Sequence, residues 1–348
     1  MKIDKNYCMS SFLQYRRIVD RECAFSSTAV PRMIEVTQGS HPIHDSYELE
    51  AHLKKVVTDA TKNGEAVLAL SGGIDSAILA RFMPKGSTAL TFRCTAGELP
   101  TVDETKKAAY YAETCGLKHE VVEITWKDME LYAPILMRHK HAPIHSIEVQ
   151  IYAGGVIAKK LGFKKVIYGE TADVKYGGLS NILSRDWTVG EFIERYAYLK
   201  PWYALKAPIV DFSCVLPYSR VDGTIDVHRY VSEFDIVESV NSYVNACECA
   251  DVEFIAPFAD TYLACDLDLA RVRRGENKYL IREIFERLYP CTKVPDKIPM
   301  PRATDQWLKN WKGPQRYEFI PNCTKGMNGD QKWLLWALET YLNIDDIE

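Results

Sequence analysis

The stretch Ala66–Ala77, which reads AVLALSGGIDSA, decides most of what the sequence predicts. Its first five residues form an apolar run with the length of a buried strand, and a helical pattern follows the two adjacent glycines. Such glycines let backbone N–H groups approach an anion, and the N-terminus of the following helix carries partial positive charge. Ser71 and Ser76 supply hydroxyl donors, and Asp75 supplies a carboxylate of the kind that phosphate-bound Mg²⁺ needs. The stretch therefore predicts a strand, an anion-binding turn and a helix.

An ordinary strand-to-helix turn is the alternative, in which the glycines relieve backbone strain and Ser76 or Asp75 caps the helix. The complete pattern S-G-G-x-D-S favours nucleotide binding, because strand and helix fall where such a loop requires them. The pattern resembles the pyrophosphate-binding loop of ATP pyrophosphatases, which split ATP into AMP and pyrophosphate. It is not a Walker A loop, because no Gly-Lys-Ser/Thr ends it.

Composition restricts the class of protein. The chain has 348 residues, of which 47% are hydrophobic and 26% charged, so it can bury the core of one large domain or two smaller ones. A net charge of -4 gives no basic footprint for nucleic acid or an anionic membrane. No apolar run approaches the roughly eighteen residues of a membrane span, and the first residues do not resemble a signal peptide. We therefore predict a cytoplasmic protein that acts on neither nucleic acid nor membranes.

Strands and helical segments alternate after the opening stretch. Further strands are predicted at Thr88–Phe92, Val121–Ile124 and Lys165–Gly169, with helical patterns between them. This alternation predicts an α/β fold with a doubly wound, mainly parallel sheet that binds ligands at the carboxyl ends of its strands. From about residue 186 the pattern is mostly helical but interrupted by prolines, which predicts a helical C-terminal part.

Residues 1–45 have a different pattern. β-rich pieces at Ser11–Tyr15 and Met33–Val36 alternate with turn signals. We expect a small N-terminal appendage or hairpin, followed by one large domain over residues 46–348. The sequence leaves open whether the appendage gates a site, holds a partner or completes the sheet.

A second polar segment follows the predicted strand at 165–169. Residues 169–178, GETADVKYGG, contain the carboxylates of Glu170 and Asp173 and three glycines. Such a segment at the carboxyl end of a strand is where a doubly wound fold keeps its chemistry, although an acidic surface turn is the alternative. The loop at Ser71 favours the first interpretation, because both segments are expected at the same edge of the sheet.

These segments, in this order, resemble the synthetase domain of the asparagine synthetase family, which also includes β-lactam synthetases and lasso-peptide cyclases. The similarity runs from about residue 46 to 310. It implies a PP-loop domain of the adenine nucleotide alpha-hydrolase type, without a glutaminase domain. Its landmarks are residues 71–76, Asp103–Glu104, Gly116–His119, Gly169–Asp173, Gly177–Gly178, Glu253–Asp260 and Lys278–Glu283.

The resemblance implies ATP and Mg²⁺ as cofactors and an AMP-forming reaction. A substrate carboxylate attacks the α-phosphate of ATP, and a nitrogen nucleophile then displaces AMP from the acyl-adenylate. Asp75 and Asp173 match the family's two metal-binding aspartates, whose Mg²⁺ offsets charge on the leaving pyrophosphate. The implied ATP-binding residues are Leu70, Ser71, Gly72, Gly73, Asp75, Ser76, Phe92, Cys94, Tyr168 and Gly169.

The resemblance also implies three catalytic residues. Glu170 stands where asparagine synthetases have glutamate and β-lactam synthetases have tyrosine, which implies a general base acting on ammonia or a simple amine. Lys297 lies where the family keeps a lysine on a mobile loop and would stabilise negative charge in the transition states; a solvated loop residue is the alternative. Glu253, before the Pro-Phe-x-Asp string, is expected to assist, with a residue paired for structural reasons as the alternative.

Several positions depart from the family pattern. Ile255 replaces an arginine, Val174 replaces an acid, and residues 139–143, HKHAP, stand where acids are usual. These changes suggest an acceptor other than aspartate, either a small-molecule or a peptide carboxylate. A glutaminase of the N-terminal-nucleophile type would begin with cysteine after Met removal, whereas this chain begins Met1-Lys2. We therefore expect free ammonia, an amine on the substrate, or a separate ammonia-supplying protein; a homo-oligomer is compatible with the sequence.

Three other functions compete with an amide ligase. An intramolecular cyclase of the β-lactam or lasso-peptide kind is the closest, and Glu170 argues against it. An enzyme similar to NAD synthetase shares the loop at Ser71 but is not expected to share the landmarks after residue 250. A nucleotide-binding scaffold without catalysis is the non-enzyme alternative, and the carboxylates beside the phosphate loop argue against it.

Overall fold

The computed structural model describes residues 1–36, 39–295, 298 and 300–346. The strands of this part, in chain order, are β1 Lys2–Ile3, β2 Cys23–Ala24, β3 His41–Ile43, β4 Ala66–Ala69, β5 Thr88–Cys94, β6 Lys118–Ile124, β7 Lys165–Ile167, β8 Glu253–Ile255 and β9 Thr261–Leu263. The α-helices are α1 Lys5–Tyr15, α2 Ser46–Thr61, α3 Ile74–Phe82, α4 Thr105–Cys115, α5 Trp126–Lys140, α6 Ser146–Lys160, α7 Ala172–Lys175, α8 Ser180–Leu183, α9 Val189–Tyr196, α10 Val227–Tyr230, α11 Ile236–Ala250, α12 Leu269–Arg273, α13 Tyr279–Leu288, α14 Thr304–Trp307 and α15 Gly329–Asp345.

Five strands form a parallel sheet in the order β6-β5-β4-β7-β8. The chain moves from β4 to β5 and β6 on one side, then returns across β4 to add β7 and β8 on the other. Loops leaving β4 and β7 therefore diverge and open a crevice at their carboxyl ends, which is where doubly wound sheets bind ligands. The predicted α/β fold, with a doubly wound parallel sheet and a helical C-terminal part, is confirmed, and so are the strands predicted at 66–70, 88–92, 121–124 and 165–169.

The central strand shows why the opening stretch is apolar without alternation. All four residues of β4 are buried, and successive side chains point to opposite faces of the sheet. Val67 packs into a core that includes α1, α5, α6, α11 and α15, whereas Leu68 packs into a second core formed with α2, α3, α4 and α13. Helices cover both faces, so this strand buries apolar side chains in both directions.

The prediction of a β-rich piece at Ser11–Tyr15 was wrong. These residues lie in α1, which begins where the Asp4 side chain accepts the Tyr7 N–H and ends at Arg16 in the left-handed region. Phe12 and Leu13 are fully buried in the same core as α15. Short apolar runs do not distinguish a strand from a buried helix, and here packing against α15 decides.

No strand forms at Met33–Val36 either. Ahead of residue 45, β3 pairs in parallel with β9 in the register His41↔Thr261 and so joins the N-terminal segment to the large domain. None of the helices in the described ranges is both long and apolar enough to cross a membrane.

Candidate functional site

The phosphate loop lies between β4 and α3, as predicted. The Ser71 backbone N–H donates to Ser76 Oγ at 3.0 Å, the two hydroxyl oxygens lie 2.9 Å apart, and the Gly73 N–H donates to Ser71 Oγ. These bonds fold the loop over the first turn of α3. A Cβ at Gly72 would lie 3.0 Å from both Glu104 Oε1 and Lys107 Cβ, so a larger residue there would force these side chains to shift.

The loops after β4, β5 and β7 enclose a cavity of about 280 Å³ at the crevice of the sheet. Of the ten residues predicted to bind ATP, eight line it: Leu70, Ser71, Gly73, Asp75, Ser76, Phe92, Tyr168 and Gly169. Gly72 instead faces α4. Cys94 is buried behind the cavity wall, with its Sγ 3.4 Å from the Pro301 carbonyl oxygen. The structure thus brings together most of the predicted nucleotide site.

Lys278 joins the two predicted metal-binding aspartates. Its Nζ lies 2.6 Å from Asp75 Oδ2 and 2.7 Å from Asp173 Oδ1, and its side chain is 6% exposed. Burial alone would lower the pKa of this ammonium, but the charges of both aspartates outweigh burial and raise it. A Cβ at Gly178 would overlap Asp173 Oδ1 and Lys278 Cε, which explains the glycine at that position.

The donor atoms at this point suit Mg²⁺. Asp75 and Asp173 both line the cavity and together offer two carboxylates, and Ser71 and Ser76 offer hydroxyl oxygens. Mg²⁺ takes oxygen ligands and is usually held by one or two carboxylates together with substrate phosphates. Since Lys278 already balances part of the carboxylate charge, these residues suit an ion that arrives with a polyphosphate.

Glu170 lies in the same cavity on a strained turn. Its Oε1 accepts a hydrogen bond from Ser239 Oγ at 2.7 Å, and the Thr171 N–H and the Tyr243 hydroxyl also interact with the carboxylate. Burial raises the pKa of Glu170, and these hydrogen bonds offset only part of the rise. Thr171 has φ of +70°, a strained conformation for a β-branched residue, of the kind that occurs at functional sites.

Glu104 also lines the cavity and was not among the predicted site residues. Only 5% of the residue is exposed, and its carboxylate accepts the Gly72 N–H. Burial raises its pKa to about 7, although Lys107 and the Gly72 N–H favour the charged form. A carboxyl group that titrates near neutral pH therefore contacts the phosphate loop.

Replacing Glu104 with glutamine will change how folding stability depends on pH. A raised pKa in the folded state means that wild-type stability falls as pH rises from the ordinary value of 4.5 to about 7. Glutamine keeps an acceptor for the Gly72 N–H but does not titrate. Between pH 4.5 and 8 the unfolding free energy of the wild type should therefore fall by about 2–3 kcal/mol relative to that of the variant. Urea titration at each pH measures both free energies. Glu113→Gln, an exposed change on α4, is the control and should track the wild type; equal pH profiles for all three proteins would contradict the prediction.

Of the three predicted catalytic residues, Glu253 lies away from this cavity and Lys297 is not described. Lys297 lies outside the described residues, so its role stays a prediction. Glu253 is the first residue of β8 and pairs with Lys165, the first residue of β7, at 3.3 Å. Both lie at the amino ends of parallel strands, opposite the cavity, and the Glu253 side chain is 56% exposed. We leave Glu253 out of the proposed catalytic set.

The cavity lining also contains residues that were not predicted as site residues, among them Glu104, Lys278, Asn277 and Tyr243. Glu104 and Lys278 belong to segments that resemble the asparagine synthetase family, but no local sequence pattern indicates that their side chains line the cavity. Tyr243 lies on α11, and its ring packs 5.0 Å from that of Tyr168. Aromatics in this region are more often core, so only the contact with Glu170 distinguishes it.

A second cavity lies beyond the segment that carries Pro301. Pro301 lines the first cavity and Arg302 lines the second, so the two share this wall. In the second cavity, His145 Nε2 lies 2.9 Å from Arg16 Nη1 and 3.3 Å from Arg302 Nη1. An imidazole nitrogen that faces two guanidinium groups must be an acceptor, and burial lowers the pKa of His145 to about 4. The second cavity therefore presents two arginines beside a neutral histidine. Each arginine has a carboxylate partner at 3.0 Å, Glu238 for Arg16 and Asp330 for Arg302.

Comparison with known proteins adds one assignment. Residues 48–220, about half of the chain, match the family model described as asparagine synthase. No curated protein matches the sequence. The solved structures that resemble it include an NMN synthetase from Francisella tularensis, at 12% identity and a TM-score of 0.29, covering 74% of this chain and 99% of that one. An ammonia-dependent NAD synthetase from Campylobacter jejuni has 13% identity and a TM-score of 0.27, with 73% and 100% covered.

Proposed function

Because residues 48–220 belong to the asparagine synthase family, we propose that the protein is an ATP-dependent, AMP-forming amide ligase. It adenylates a substrate carboxylate and transfers ammonia or an amine to it. The observation that supports this most strongly is the convergence in one cavity of the phosphate loop, the Asp75–Lys278–Asp173 cluster and Glu170. A binding scaffold would need the loop but would have no use for a carboxylate of raised pKa beside it.

The first step places charge where the cavity can stabilise it. A carboxylate oxygen of the acceptor attacks the α-phosphorus, the bond to the bridging oxygen breaks, and pyrophosphate leaves with its electron pair. The loop N–H groups and the N-terminus of α3 stabilise that leaving charge, and the buried ammonium of Lys278 adds a fixed cation. Mg²⁺ held by Asp75 and Asp173 would supply further charge compensation to the polyphosphate.

The second step forms the amide and needs a base. The nitrogen attacks the acyl carbon, AMP leaves, and the nitrogen loses a proton. Glu170 is positioned to accept that proton, since it lines the same cavity and three hydrogen bonds fix its orientation. Its raised pKa improves it as a base near neutral pH, provided that it is ionised when the nitrogen attacks. Lys297 remains the proposed stabiliser of charge on the reacting centre, as the family pattern implies.

The second cavity is the proposed seat of the acceptor. Arginine binds carboxylates through paired N–H donors, and Arg302 lines the second cavity directly after Pro301, which lines the first. Arg16, from the end of α1, lines the same space. We infer that residues before 45 contribute to acceptor binding, so the N-terminal segment is part of the site. Free ammonia, an amine on the substrate, or ammonia from a separate protein would supply the nitrogen.

The test is a product assay. Incubation with Mg-ATP, ammonium and a panel of small carboxylates, followed by chromatography, should show equal amounts of AMP and pyrophosphate that depend on one carboxylate. Asp75→Asn should lower AMP formation at least about 100-fold, because asparagine keeps the shape of the side chain but not its charge. Asp59→Asn is the matched control, since Asp59 is exposed on α2 and pairs only with Lys62 among the salt bridges of the described residues. ADP and phosphate as products, or unchanged turnover in Asp75→Asn, would contradict the proposal.

A further inference from the structure

Two histidines and an aspartate meet where the N-terminal segment joins the large domain. β3 runs parallel to β9, and Asp260 immediately precedes β9. The backbone N–H groups of Ser40 and His41 both donate to the Asp260 carbonyl oxygen at 3.0 Å. His52 reaches the same point from α2. These residues come from three separate segments and lie outside the residues that line the cavity of the proposed ligase site.

The three side chains present metal-binding atoms to one another. His41 Nδ1 lies 2.8 Å from Asp260 Oδ2, and the rings of His41 and His52 are 4.6 Å apart. One ligand atom from each residue lies within 4.8 Å of the other two. Ligand atoms around a tetrahedral Zn²⁺ are about 3.3 Å apart, given bonds of about 2.0–2.1 Å. Closing this set on an ion therefore requires side-chain movements of about 1 Å.

The surrounding hydrogen bonds already hold two of the three ligands in a metal-binding orientation. The His52 ring is hydrogen-bonded to the Pro257 backbone, while its Nε2 is buried without a hydrogen-bond partner among the described residues. Donation to a carbonyl from one ring nitrogen fixes the tautomer that leaves the other nitrogen free for a metal. Asp260 Oδ1 accepts from the Ser40 N–H at 3.0 Å and from Ser40 Oγ at 2.8 Å, which leaves Oδ2 directed at His41.

We propose that His41, His52 and Asp260 bind a zinc ion, with water as the fourth ligand. Two neutral imidazoles and one carboxylate are ligands that Zn²⁺ accepts in tetrahedral sites. The ion fixes residues 40–43 against β9. Lys175, two residues after Asp173, donates to the carbonyl oxygens of Ala259 and Thr261 on either side of Asp260. The zinc site therefore also stabilises the segment that supports the helix carrying Asp173.

The charges around the site limit its affinity. Asp260 is the one carboxylate in the set, and Lys55, one turn after His52, adds unfavourable positive charge. A hydrogen-bonded His41–Asp260 pair without any metal is the competing interpretation. The two interpretations differ in the role of His52 Nε2. In a zinc site this nitrogen binds the metal, whereas a His41–Asp260 pair does not involve it.

Calorimetric titration of the metal-free full-length protein with ZnCl₂, under reducing conditions, tests the proposal. We expect one zinc per chain, a rise in melting temperature, and affinity at least tenfold weaker in His52→Ala and in His41→Ala. The matched control is His44→Ala, because His44 is an exposed histidine that pairs with Glu48 on the same surface. His44→Ala should bind zinc as the wild type does.

Substitution with Co²⁺ identifies the ligands. Cobalt bound by two histidine nitrogens and an aspartate oxygen gives no thiolate-to-cobalt charge-transfer band. Such a band would show that the metal binds one of the ten cysteines instead. No zinc binding, or wild-type affinity in both His41→Ala and His52→Ala, would overturn the proposal. Since Asp75→Asn should leave zinc binding unchanged, failure here and failure of the proposed ligase function would be separate results.

Discussion

Replacing Glu170 with glutamine will leave formation of the acyl-adenylate largely intact and will slow amide formation by a factor of about 10²–10⁴. Glutamine can still accept hydrogen bonds from Ser239 and the Thr171 N–H, so the turn should survive. It cannot take a proton from the attacking nitrogen. Pyrophosphate exchange into ATP reports the first step, and the appearance of the amide reports the second, so the two rates can be measured on one protein.

Glu253→Gln is the matched control for this change. Glu253 is the family's other candidate glutamate, but it lies at the opposite end of the sheet and pairs with Lys165. We expect both of its rates to stay within about twofold of the wild type, because a surface ion pair contributes little. If Glu170→Gln slowed both steps equally, Glu170 would have a role in nucleotide binding or folding and the assignment as base would fail.

The pH profile gives an independent check on Glu170. The residue acts only when ionised, and burial raises its pKa above the ordinary 4.5. In the wild type, amide formation should therefore fall as pH decreases through that raised pKa, while adenylate formation should not follow the same curve. In Glu170→Gln, this limb of the profile should disappear.

Replacing Lys278 with methionine will lower the free energy of unfolding by about 3–5 kcal/mol at pH 7–8. Methionine fills most of the space but leaves the carboxylates of Asp75 and Asp173 facing each other without the buried cation that now lies 2.6 and 2.7 Å from them. Lys278 also has φ of +54°, in the left-handed region that residues other than glycine seldom adopt. Urea unfolding followed by circular dichroism measures the change.

The control for Lys278 is a lysine on the surface. Lys62 is paired with Asp59, and both side chains are about half exposed or more, so Lys62→Met should cost no more than about 1 kcal/mol. The loss in Lys278→Met should shrink below about pH 5. At low pH the carboxylates take up protons, which relieves the repulsion that remains when the cation is missing. A loss of under about 1 kcal/mol at pH 7 would show that the ammonium is not needed to hold this cluster.

Much of the fold was accessible from local sequence patterns. The apolar run at 66–70, the glycine pair and the helix that follows form strand, loop and helix as predicted, because each depends on residues adjacent in sequence. The predicted β-rich piece at Ser11–Tyr15 failed for the opposite reason. The eleven residues of α1 have a weak periodic pattern and are helical because they pack against α15, near the other end of the chain. A local sequence pattern does not contain that information.

The candidate site divides in the same way. The sequence alone determined the phosphate loop and the polar segment after β7. These segments contain Ser71, Asp75, Glu170 and Asp173. The hydrophobic pattern shows where each strand ends and its loop begins, and in a parallel sheet these ends lie at one edge. Only the tertiary structure decided that Lys278 pairs with two aspartates about one hundred and two hundred residues earlier in the chain. It also decided that Glu104 is buried against the loop and that Glu253 lies at the end of its strand opposite the cavity. The physical reason is that burial and charge pairing depend on distances in space, which chain order does not specify.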